Sequence, residues 1–309
     1  GSKLQHTTAQ ESTISLKLKV DESRSVNVTM WSSSPLRQPR GNIIFSHGFA
    51  CTPGQYEELI LPWVRKGFTV LAPSHVDSPA YPPTSLNISG DWLLVYRMQD
   101  METLAQWVDH NTLARKYVAA GHSFGAAAAL MACGSTAAAI PDLVKPNGCS
   151  AAVALSPPPP IPSWNQTFAA LLAPALIQTG TLDNVGPFSW RSHSISFFRS
   201  PPPDKYLVVF EGVDHYFGNT LLHTHRHNAS LSSQESQHEK FEDFVQLSSH
   251  FLDAYAEARS KGAGLSSLAQ QALSALKNRV SDATPPDPAA LRPGVFMRQK
   301  QPASQGQST

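Results

Sequence analysis

The chain has 309 residues, of which 41% are hydrophobic and 15% charged, enough for one large α/β domain with a buried core or for two small domains. The formal net charge is +1 and Lys and Arg form no stripe, which argues against a nucleic acid or polyanion as partner and favours a small-molecule substrate. The longest apolar stretches have only the length of strands, so no transmembrane helix is predicted.

The first predicted elements are two segments of period-2 alternation, residues 13–20 and 25–31, which a polar turn separates. They predict an antiparallel hairpin at one edge of a sheet. Short apolar runs typical of buried strands follow at 42–45, 68–72, 117–120, 151–155, 175–178 and 206–210. Segments with helical spacing lie between or after them, at 56–66, 93–110, 124–133 and 239–258. The alternation predicts one α/β domain, residues 13–258, with a mainly parallel sheet and helices on both faces.

The two ends of the chain differ from this domain. Residues 1–12 are expected to be a tag or disordered, because Gly1-Ser2 resembles a cloning remnant. Residues 259–280 carry a helical stripe made of Leu265, Leu268, Ala272, Leu276 and Val280. We interpret this segment as an appended helix docked on the body, with a lid or partner-binding helix as the alternative. Residues 281–309 are rich in Pro, Gln and Ser and are expected to form a disordered tail.

The only indication of the cellular compartment comes from N-glycosylation sequons. Four Asn-x-Ser/Thr sequons occur in polar or turn-like contexts, at Asn27, Asn87, Asn165 and Asn228. They favour secretion or organelle import, with a targeting peptide removed, over the cytosol. Three cysteines without metal-like spacing allow at most one internal disulfide: Cys51, Cys133 and Cys149. Oligomeric state cannot be read from the sequence.

Ser123 is the predicted nucleophile. It lies in Gly121-His122-Ser123-Phe124-Gly125, between a strand-like run and an Ala-rich helical segment, and so occupies a sharp strand-to-helix turn. The glycines permit close packing there, and the helix N-terminus offers N–H groups to a developing anion. The alternative is a coincidental Gly-Ser-Gly turn, which the surrounding strand and helix disfavour.

A serine hydroxyl needs a general base, and the base needs a carboxylate that orients it. His215 is the predicted base because it lies in the loop that leaves the strand at 206–210, a placement that His6, His110 and His250 lack. Asp183, in the loop after the strand at 175–178, is the predicted acid. Asp214 and Asp204 compete for this role, but Asp214 adjoins His215, and neighbouring residues seldom meet in the required geometry. The order serine, acid, histidine is that of α/β-hydrolases.

The other notable histidines are interpreted as having no part in the catalytic step. The alternating His223, His225 and His227 could be read as a metal site, but no carboxylate or cysteine stands at ligand spacing, so we interpret them as a solvated segment. His122 is interpreted as a structural or pocket residue, and His47 as a structural one. No metal and no cofactor is predicted.

The tetrahedral intermediate of acyl transfer needs two N–H donors for its oxyanion. The backbone N–H of Phe124, directly after the nucleophile, is the first predicted donor. The second is the backbone N–H of Phe49, in the loop Ser46-His47-Gly48-Phe49-Ala50 after the strand at 42–45, because its His-Gly pair is typical of such loops.

With these residues placed, residues 42–258 resemble the α/β-hydrolase superfamily of serine esterases. Within it, they are similar to the branch of dienelactone hydrolases, platelet-activating-factor acetylhydrolases, cutinase-like polyester hydrolases and chlorophyllases. The likeness rests on five segments: residues 47–49, 65–73, 121–126, 179–183 and 211–215. Arg97 and Asp100 also resemble an Arg/Asp pair of acetylhydrolase-like members. Phe124-Gly125-Ala126 departs from the usual chlorophyllase motif, and Ser123 stands where dienelactone hydrolases use cysteine.

The resemblance also implies a substrate pocket. Phe49 and Trp164 look like the aromatic residues that clamp the acyl group in polyester hydrolases, and Val185, Pro187 and Phe188 would add an apolar wall. Each of them could instead be a core or surface residue. Pro157–Pro160 are expected to stiffen a loop at the rim. The implied substrate is a hydrophobic ester, such as a chlorophyll-type phytyl ester, a short-acyl lipid ester or a polyester.

The sequence therefore predicts a carboxylic ester hydrolase that works through an acyl-enzyme on Ser123, with His215 and Asp183 completing a triad. Two alternatives remain open at this point. The same triad could serve an amidase or an acyltransferase, or the fold could be a catalytically silent binding protein.

Overall fold

The chain folds around a nine-stranded sheet. The computed structural model describes residues 11–33, 39–86, 88, 90–222, 231–256, 266–280, 284–285 and 287–298. The strands are β1 (Ser12–Lys19), β2 (Ser25–Ser32), β3 (Gly41–Ser46), β4 (Phe68–Pro73), β5 (Tyr117–His122), β6 (Thr136–Ala137), β7 (Cys149–Leu155), β8 (Gln166–Thr167), β9 (Ala175–Gly180), β10 (Lys205–Phe210) and β11 (Gly294–Arg298). Strands β6 and β8 pair separately, and the order of the main sheet is β1-β2-β4-β3-β5-β7-β9-β10-β11.

The centre of this sheet, from β4 to β10, is parallel. Strands β3, β4, β5, β9 and β10 are buried at every residue because helices cover both faces. The α-helices are α1 (Glu57–Arg65), α2 (Asp91–Asn111), α3 (Phe124–Ala132), α4 (Ile195–Arg199), α5 (Leu231–Tyr255) and α6 (Ser267–Asn278). The predicted α/β fold with a mainly parallel sheet is confirmed, as is the N-terminal hairpin, in which Ser12 of β1 pairs with Ser32 of β2.

The core consists of two apolar layers, one on each face of the sheet. Side chains of α2 and α3 pack with Ile44 of β3 in the first layer. Side chains of α1 and α5 pack with Ile43 and Phe45 of the same strand in the second, because successive residues of a strand point to opposite faces. None of the described helices combines the length and the apolar character that crossing a bilayer requires.

The C-terminal part of the chain differs from the expected tail. A disordered segment was expected over 281–309, but residues 294–298 form β11, which pairs antiparallel with β10. Phe296 of β11 and the nearby Leu291 are buried in the first apolar layer. A five-residue strand between polar segments is too short for composition to reveal, and β11 forms because β10 offers an unpaired edge.

Helix α6 packs against α5 and buries Ala269, Ala272 and Leu276, whereas Leu268 of the expected stripe is 41% exposed. An ion pair between Arg279 and Asp243 of α5 adds to this contact. Leu265, also in that stripe, lies outside the described residues. Cys133 and Cys149 form a disulfide that joins the end of α3 to the start of β7.

Candidate active site

The predicted catalytic residues lie on segments that leave the same edge of the sheet. Because β3, β5, β9 and β10 run parallel, their carboxyl ends lie side by side. Ser123 follows β5, Asp183 lies in the loop after β9, and His215 lies in the loop after β10. The loop that carries Phe49 follows β3. Four segments far apart in sequence therefore contribute to one region.

Ser123 occupies a strained strand-to-helix turn, with φ of 55° and ψ of −123°, a left-handed conformation that is rare for a residue other than glycine. The two motif glycines let α3 approach the sheet. A Cβ atom on Gly121 would lie 2.4 Å from the carbonyl oxygen of Gly125, and one on Gly125 would lie 2.0 Å from that of Ser46. Any side chain at either position would thus displace backbone, which explains why both positions are glycine.

Asp183 and His215 are brought together as predicted. His215 Nδ1 lies 2.6 Å from Asp183 Oδ1, and the hydroxyl of Thr179 donates to Oδ2 at 3.0 Å. Burial opposes ionisation of Asp183, but the hydrogen bond and charge of His215 outweigh it and lower the pKa of Asp183 to about 2. The carboxylate of Asp214, the first competing acid, instead accepts the backbone N–H groups of Tyr216 and Gly218.

His122 links the serine turn to His215. Its ring lies 4.6 Å from the His215 ring, and its Nε2 lies 3.0 Å from the His215 carbonyl oxygen. Because a carbonyl only accepts, Nε2 carries the proton, and Nδ1 accepts the hydroxyl hydrogen of Tyr56 at 2.9 Å. The Tyr56 oxygen in turn accepts the Gly48 N–H at 2.9 Å. Burial lowers the pKa of His122 well below its usual value, consistent with this neutral form.

The loop after β3 is held from beneath by the fully buried guanidinium of Arg97. Arg97 donates to the carbonyl oxygens of His47 at 2.6 Å and Gly48 at 3.2 Å. It also pairs with Asp77, from Nη2 to Oδ2 at 2.7 Å, and Asp77 accepts the Ala50 N–H at 2.9 Å. Burial opposes ionisation of Asp77, but the charge and hydrogen bonds of Arg97 lower its pKa to about 2. The guanidinium carbon also lies 4.9 Å from the centre of the Phe124 ring.

A second hydrogen-bonded Ser-His-Asp set lies wholly inside the protein. Ser46 Oγ is 2.9 Å from His75 Nε2, and His75 Nδ1 is 2.8 Å from Asp100 Oδ2. The three residues are completely buried, so this set supports the loop after β3 and cannot receive a substrate. Asp100 also pairs with Arg24, but burial dominates and raises the pKa of Asp100 to about 7. The resemblance to an Arg/Asp pair is thus realised as two different pairs, Arg97 with Asp77 and Asp100 with Arg24.

Besides His215, a histidine that the sequence patterns do not single out contacts the predicted acid. His193 is 2% exposed and lies in one turn of 3₁₀ helix at Ser192–Ser194. Its Nε2 is 3.3 Å from Asp183 Oδ1, and its Nδ1 is 2.9 Å from the Pro157 carbonyl oxygen. Burial lowers the pKa of His193. No motif surrounds His193, and only the folding of the loop after β9 brings it back to Asp183.

The predicted pocket residues have different environments. Phe49 is 61% exposed, whereas Trp164 is 4% exposed and donates its indole N–H to Asp91 at 2.5 Å. The Trp164 and Phe124 rings meet edge to face, with centres 6.0 Å apart. Val185 and Phe188 are half-buried and exchange two backbone hydrogen bonds in a tight turn after Asp183.

Several residues singled out in the sequence lie outside the described part of the chain, namely His6, Asn87, His223, His225, His227 and Asn228. The side chains of Asn27 and Asn165, the other two sequons, are exposed. Secretion or organelle import therefore stays a prediction.

The fold and the site define an α/β-hydrolase, with a mainly parallel sheet, a serine at a strand-to-helix turn, and an acid and a histidine on later loops. The model of the alpha/beta hydrolase family matches residues 43–292, and the chain belongs to that family. The match runs past residue 258 and ends at residue 292, two residues before β11 begins. Among curated proteins, no sequence matches this chain.

Solved structures with the same fold include Thermogutta terrifontis esterase 2 phosphorylated by paraoxon, with a TM-score of 0.54 and 19% identity over 76% of this chain and 94% of that one. The propionate-bound form of the same enzyme has a TM-score of 0.54 and 18% identity over the same shares. A dienelactone hydrolase-like promiscuous phosphotriesterase from metagenomic libraries has a TM-score of 0.54 and 13% identity over 76% of this chain and 97% of that one.

Proposed function

We propose that the protein is a serine carboxylic ester hydrolase whose triad is Ser123, His215 and Asp183. The observation that carries the proposal is the 2.6 Å contact between His215 Nδ1 and Asp183 Oδ1, next to a serine in a strained strand-to-helix turn. Family membership and the esterases among the solved structures of the same fold support this reaction class.

The carboxylate of Asp183 keeps the His215 proton on Nδ1, which leaves Nε2 free to take the hydroxyl proton of Ser123. Ser123 Oγ then attacks the ester carbonyl, and His215 gives the proton to the leaving alcohol, so that an acyl-enzyme remains. A water activated by the same His215 releases the acid. The low pKa of Asp183 keeps the carboxylate ionised throughout the neutral range.

The contacts of Arg97 support Phe49 as an oxyanion donor. The Gly48 carbonyl and the Phe49 N–H belong to one peptide unit, and in a trans peptide these two groups point in opposite directions. Arg97 Nη2 and His47 Nδ1 both donate to that carbonyl, at 3.2 and 2.7 Å, which orients the Phe49 N–H away from the buried network. Donors on the carbonyl also polarise the peptide and strengthen its N–H as a donor.

The N–H of Phe124 is the second donor in this proposal. It lies in the first turn of α3, where backbone N–H groups have no acceptor within the helix and the helix dipole favours negative charge. One oxyanion donor is worth about 10²–10³-fold in kcat.

A hydrophobic ester is the proposed substrate. Apolar side chains surround the triad from three loops: Phe49 is 61% exposed, Leu182 beside the acid is 54% exposed, and Phe124 after the nucleophile is half-buried. Exposed apolar side chains next to catalytic groups favour an apolar acyl or alcohol group. Trp164 contributes to this wall through its contact with the Phe124 ring, and Val185 and Phe188 would extend it beyond Asp183.

The test is labelling with a fluorophosphonate probe, followed by peptide mass spectrometry and p-nitrophenyl ester hydrolysis. We expect one phosphonyl group, on Ser123, and loss of both labelling and hydrolysis in Ser123→Ala. Ser274→Ala, on the exposed face of α6, is the matched control and should keep both. Full esterase activity of Ser123→Ala would refute the proposal, as would labelling at another serine.

A further inference from the structure

His193 presents an unsatisfied nitrogen to the acid of the proposed triad. Its Nδ1 lies 2.9 Å from the Pro157 carbonyl oxygen, so the proton of the neutral ring sits on Nδ1. Nε2 lies 3.3 Å from Asp183 Oδ1, and neither this oxygen nor any other described atom forms a hydrogen bond with it. A buried imidazole nitrogen without a hydrogen bond is costly, and a cation bound by this nitrogen and by the neighbouring carboxylate oxygen would remove that cost.

The same carboxylate oxygen faces a second imidazole. His215 Nδ1 approaches Asp183 Oδ1 to 2.6 Å, and one ligand atom from each of Asp183, His193 and His215 lies within 4.8 Å of the other two. Two imidazoles and one carboxylate form a common ligand set for Zn²⁺. The atoms of these residues that face away from the proposed ion are hydrogen-bonded, as in known metal sites, and this fixes the orientation of the ligands. Asp183 Oδ2 accepts the Thr179 hydroxyl, and His193 Nδ1 donates to the Pro157 carbonyl oxygen.

We propose that Asp183, His193 and His215 bind a divalent transition-metal ion of the Zn²⁺ class, and that this ion reversibly inhibits the hydrolase. The inhibition rests on the proposed function, whereas the binding does not. Mixed nitrogen and oxygen ligands favour Zn²⁺ or Cu²⁺ over Mg²⁺ and Ca²⁺, which prefer oxygen ligands.

Inhibition follows from the tautomer of His215. In the metal-free site its proton is on Nδ1 and its Nε2 lone pair accepts the proton of Ser123. An ion that binds Nδ1 displaces the proton from that nitrogen, the proton moves to Nε2, and the ring stays neutral. An Nε2 that already carries a proton cannot act as general base. The change involves no oxidation, and removal of the ion by a chelator restores the original tautomer.

Binding is measured apart from catalysis. The full-length Ser123→Ala chain is titrated with ZnSO₄ by calorimetry, and we expect one Zn²⁺ per chain, lost or weakened by at least about tenfold when His193→Gln is added. Long equilibration is needed because the three ligand residues are 5% exposed or less. His110→Gln, an exposed histidine of α2, is the matched control and should leave binding unchanged.

Inhibition is then measured on the active chain. Zn²⁺ should inhibit p-nitrophenyl ester hydrolysis, EDTA should restore it, and Mg²⁺ should have no effect. Relative to each variant's own zinc-free rate, His193→Gln should raise the half-inhibiting Zn²⁺ concentration by at least about tenfold. A chain with His223, His225 and His227 all replaced by Gln should respond like the wild type.

Three results would overturn the inference: no Zn²⁺ bound by Ser123→Ala, binding that survives His193→Gln but is lost in the triple histidine variant, or bound Zn²⁺ without inhibition. A chain that binds Zn²⁺ through His193 but hydrolyses no ester would refute the proposed function and leave the metal site standing. An active esterase without Zn²⁺ binding would refute only the metal site.

Discussion

Arg97 and Gly48 are joined by a hydrogen bond of 3.2 Å from the buried guanidinium to the carbonyl oxygen, on the far side of the peptide whose N–H belongs to Phe49. In the proposed mechanism, this buried hydrogen bond sets the direction of the Phe49 N–H, one of the two oxyanion donors. Arg97 touches no substrate in this arrangement and acts as a positioning residue. Its effect should appear in the chemical step, because the oxyanion exists only there.

Replacing the Arg97–Asp77 pair by Met and Asn should therefore lower kcat by about one to two orders of magnitude with little change in KM. The double variant is preferred because a single substitution would leave a buried charge unpaired. Steady-state kinetics measure the effect. The Arg279→Met/Asp243→Asn variant, which removes the more exposed ion pair between α5 and α6, is the matched control and should be near wild type. Equal losses in both variants would contradict the positioning role.

Asp183→Asn should lower kcat by about 10⁴-fold, because an amide facing His215 Nδ1 no longer selects the tautomer that leaves Nε2 free. Asp214→Asn should stay within about a few-fold of wild type, since its carboxylate caps the backbone N–H groups of Tyr216 and Gly218 and an Asn oxygen can still accept them. Kinetics of the two variants with the same ester decide which aspartate is the acid. A larger loss for Asp214→Asn would reverse the assignment.

Gly125→Ala should destabilise the fold by at least about 3 kcal/mol, because its Cβ would lie 2.0 Å from the carbonyl oxygen of Ser46 and backbone would have to move. Gly54→Ala is the matched control, since among the described residues other than its two chain neighbours no heavy atom lies within 4 Å of its Cβ position. Urea unfolding of the three proteins measures the difference. A Gly125→Ala variant as stable as Gly54→Ala would mean that α3 can shift away from β3 at little cost.

Asp77 makes stability depend on pH in the acid range. Its pKa falls from 3.8 to about 2 on folding, so its contribution is fully present above pH 3.8 and is lost as the pH falls through about 2. The stability difference between wild type and Asp77→Asn should therefore shrink by about 1 kcal/mol between pH 6 and pH 3. Urea unfolding at the two pH values measures it. Asp109→Asn, an exposed carboxylate on α2, should show a much smaller change, and a difference independent of pH for Asp77→Asn would contradict the assigned cause.

The strand and helix pattern, the turn around Ser123 and the pairing of His215 with Asp183 could be predicted from the sequence, because each depends on local order. A serine between a strand and a helix, and an acid and a histidine just after later strands, come to the same edge of the sheet when the strands are parallel. The Gly-x-Ser-x-Gly spacing is local only in part: Gly121 meets Gly125 within the same turn, whereas Gly125 meets Ser46 of β3, a contact that depends on the tertiary structure.

Contacts between distant segments were decided only by the tertiary structure. Arg97 approaches the Gly48 carbonyl from α2, Tyr56 joins Gly48 to His122, and His193 returns to Asp183 through a loop without a motif. Strand β11 likewise exists because β10 has an open edge. Sequence periodicity indicates which side of a helix or strand is buried. It does not indicate which group a buried polar side chain will bond, because that partner lies on another element and is determined by how the elements pack.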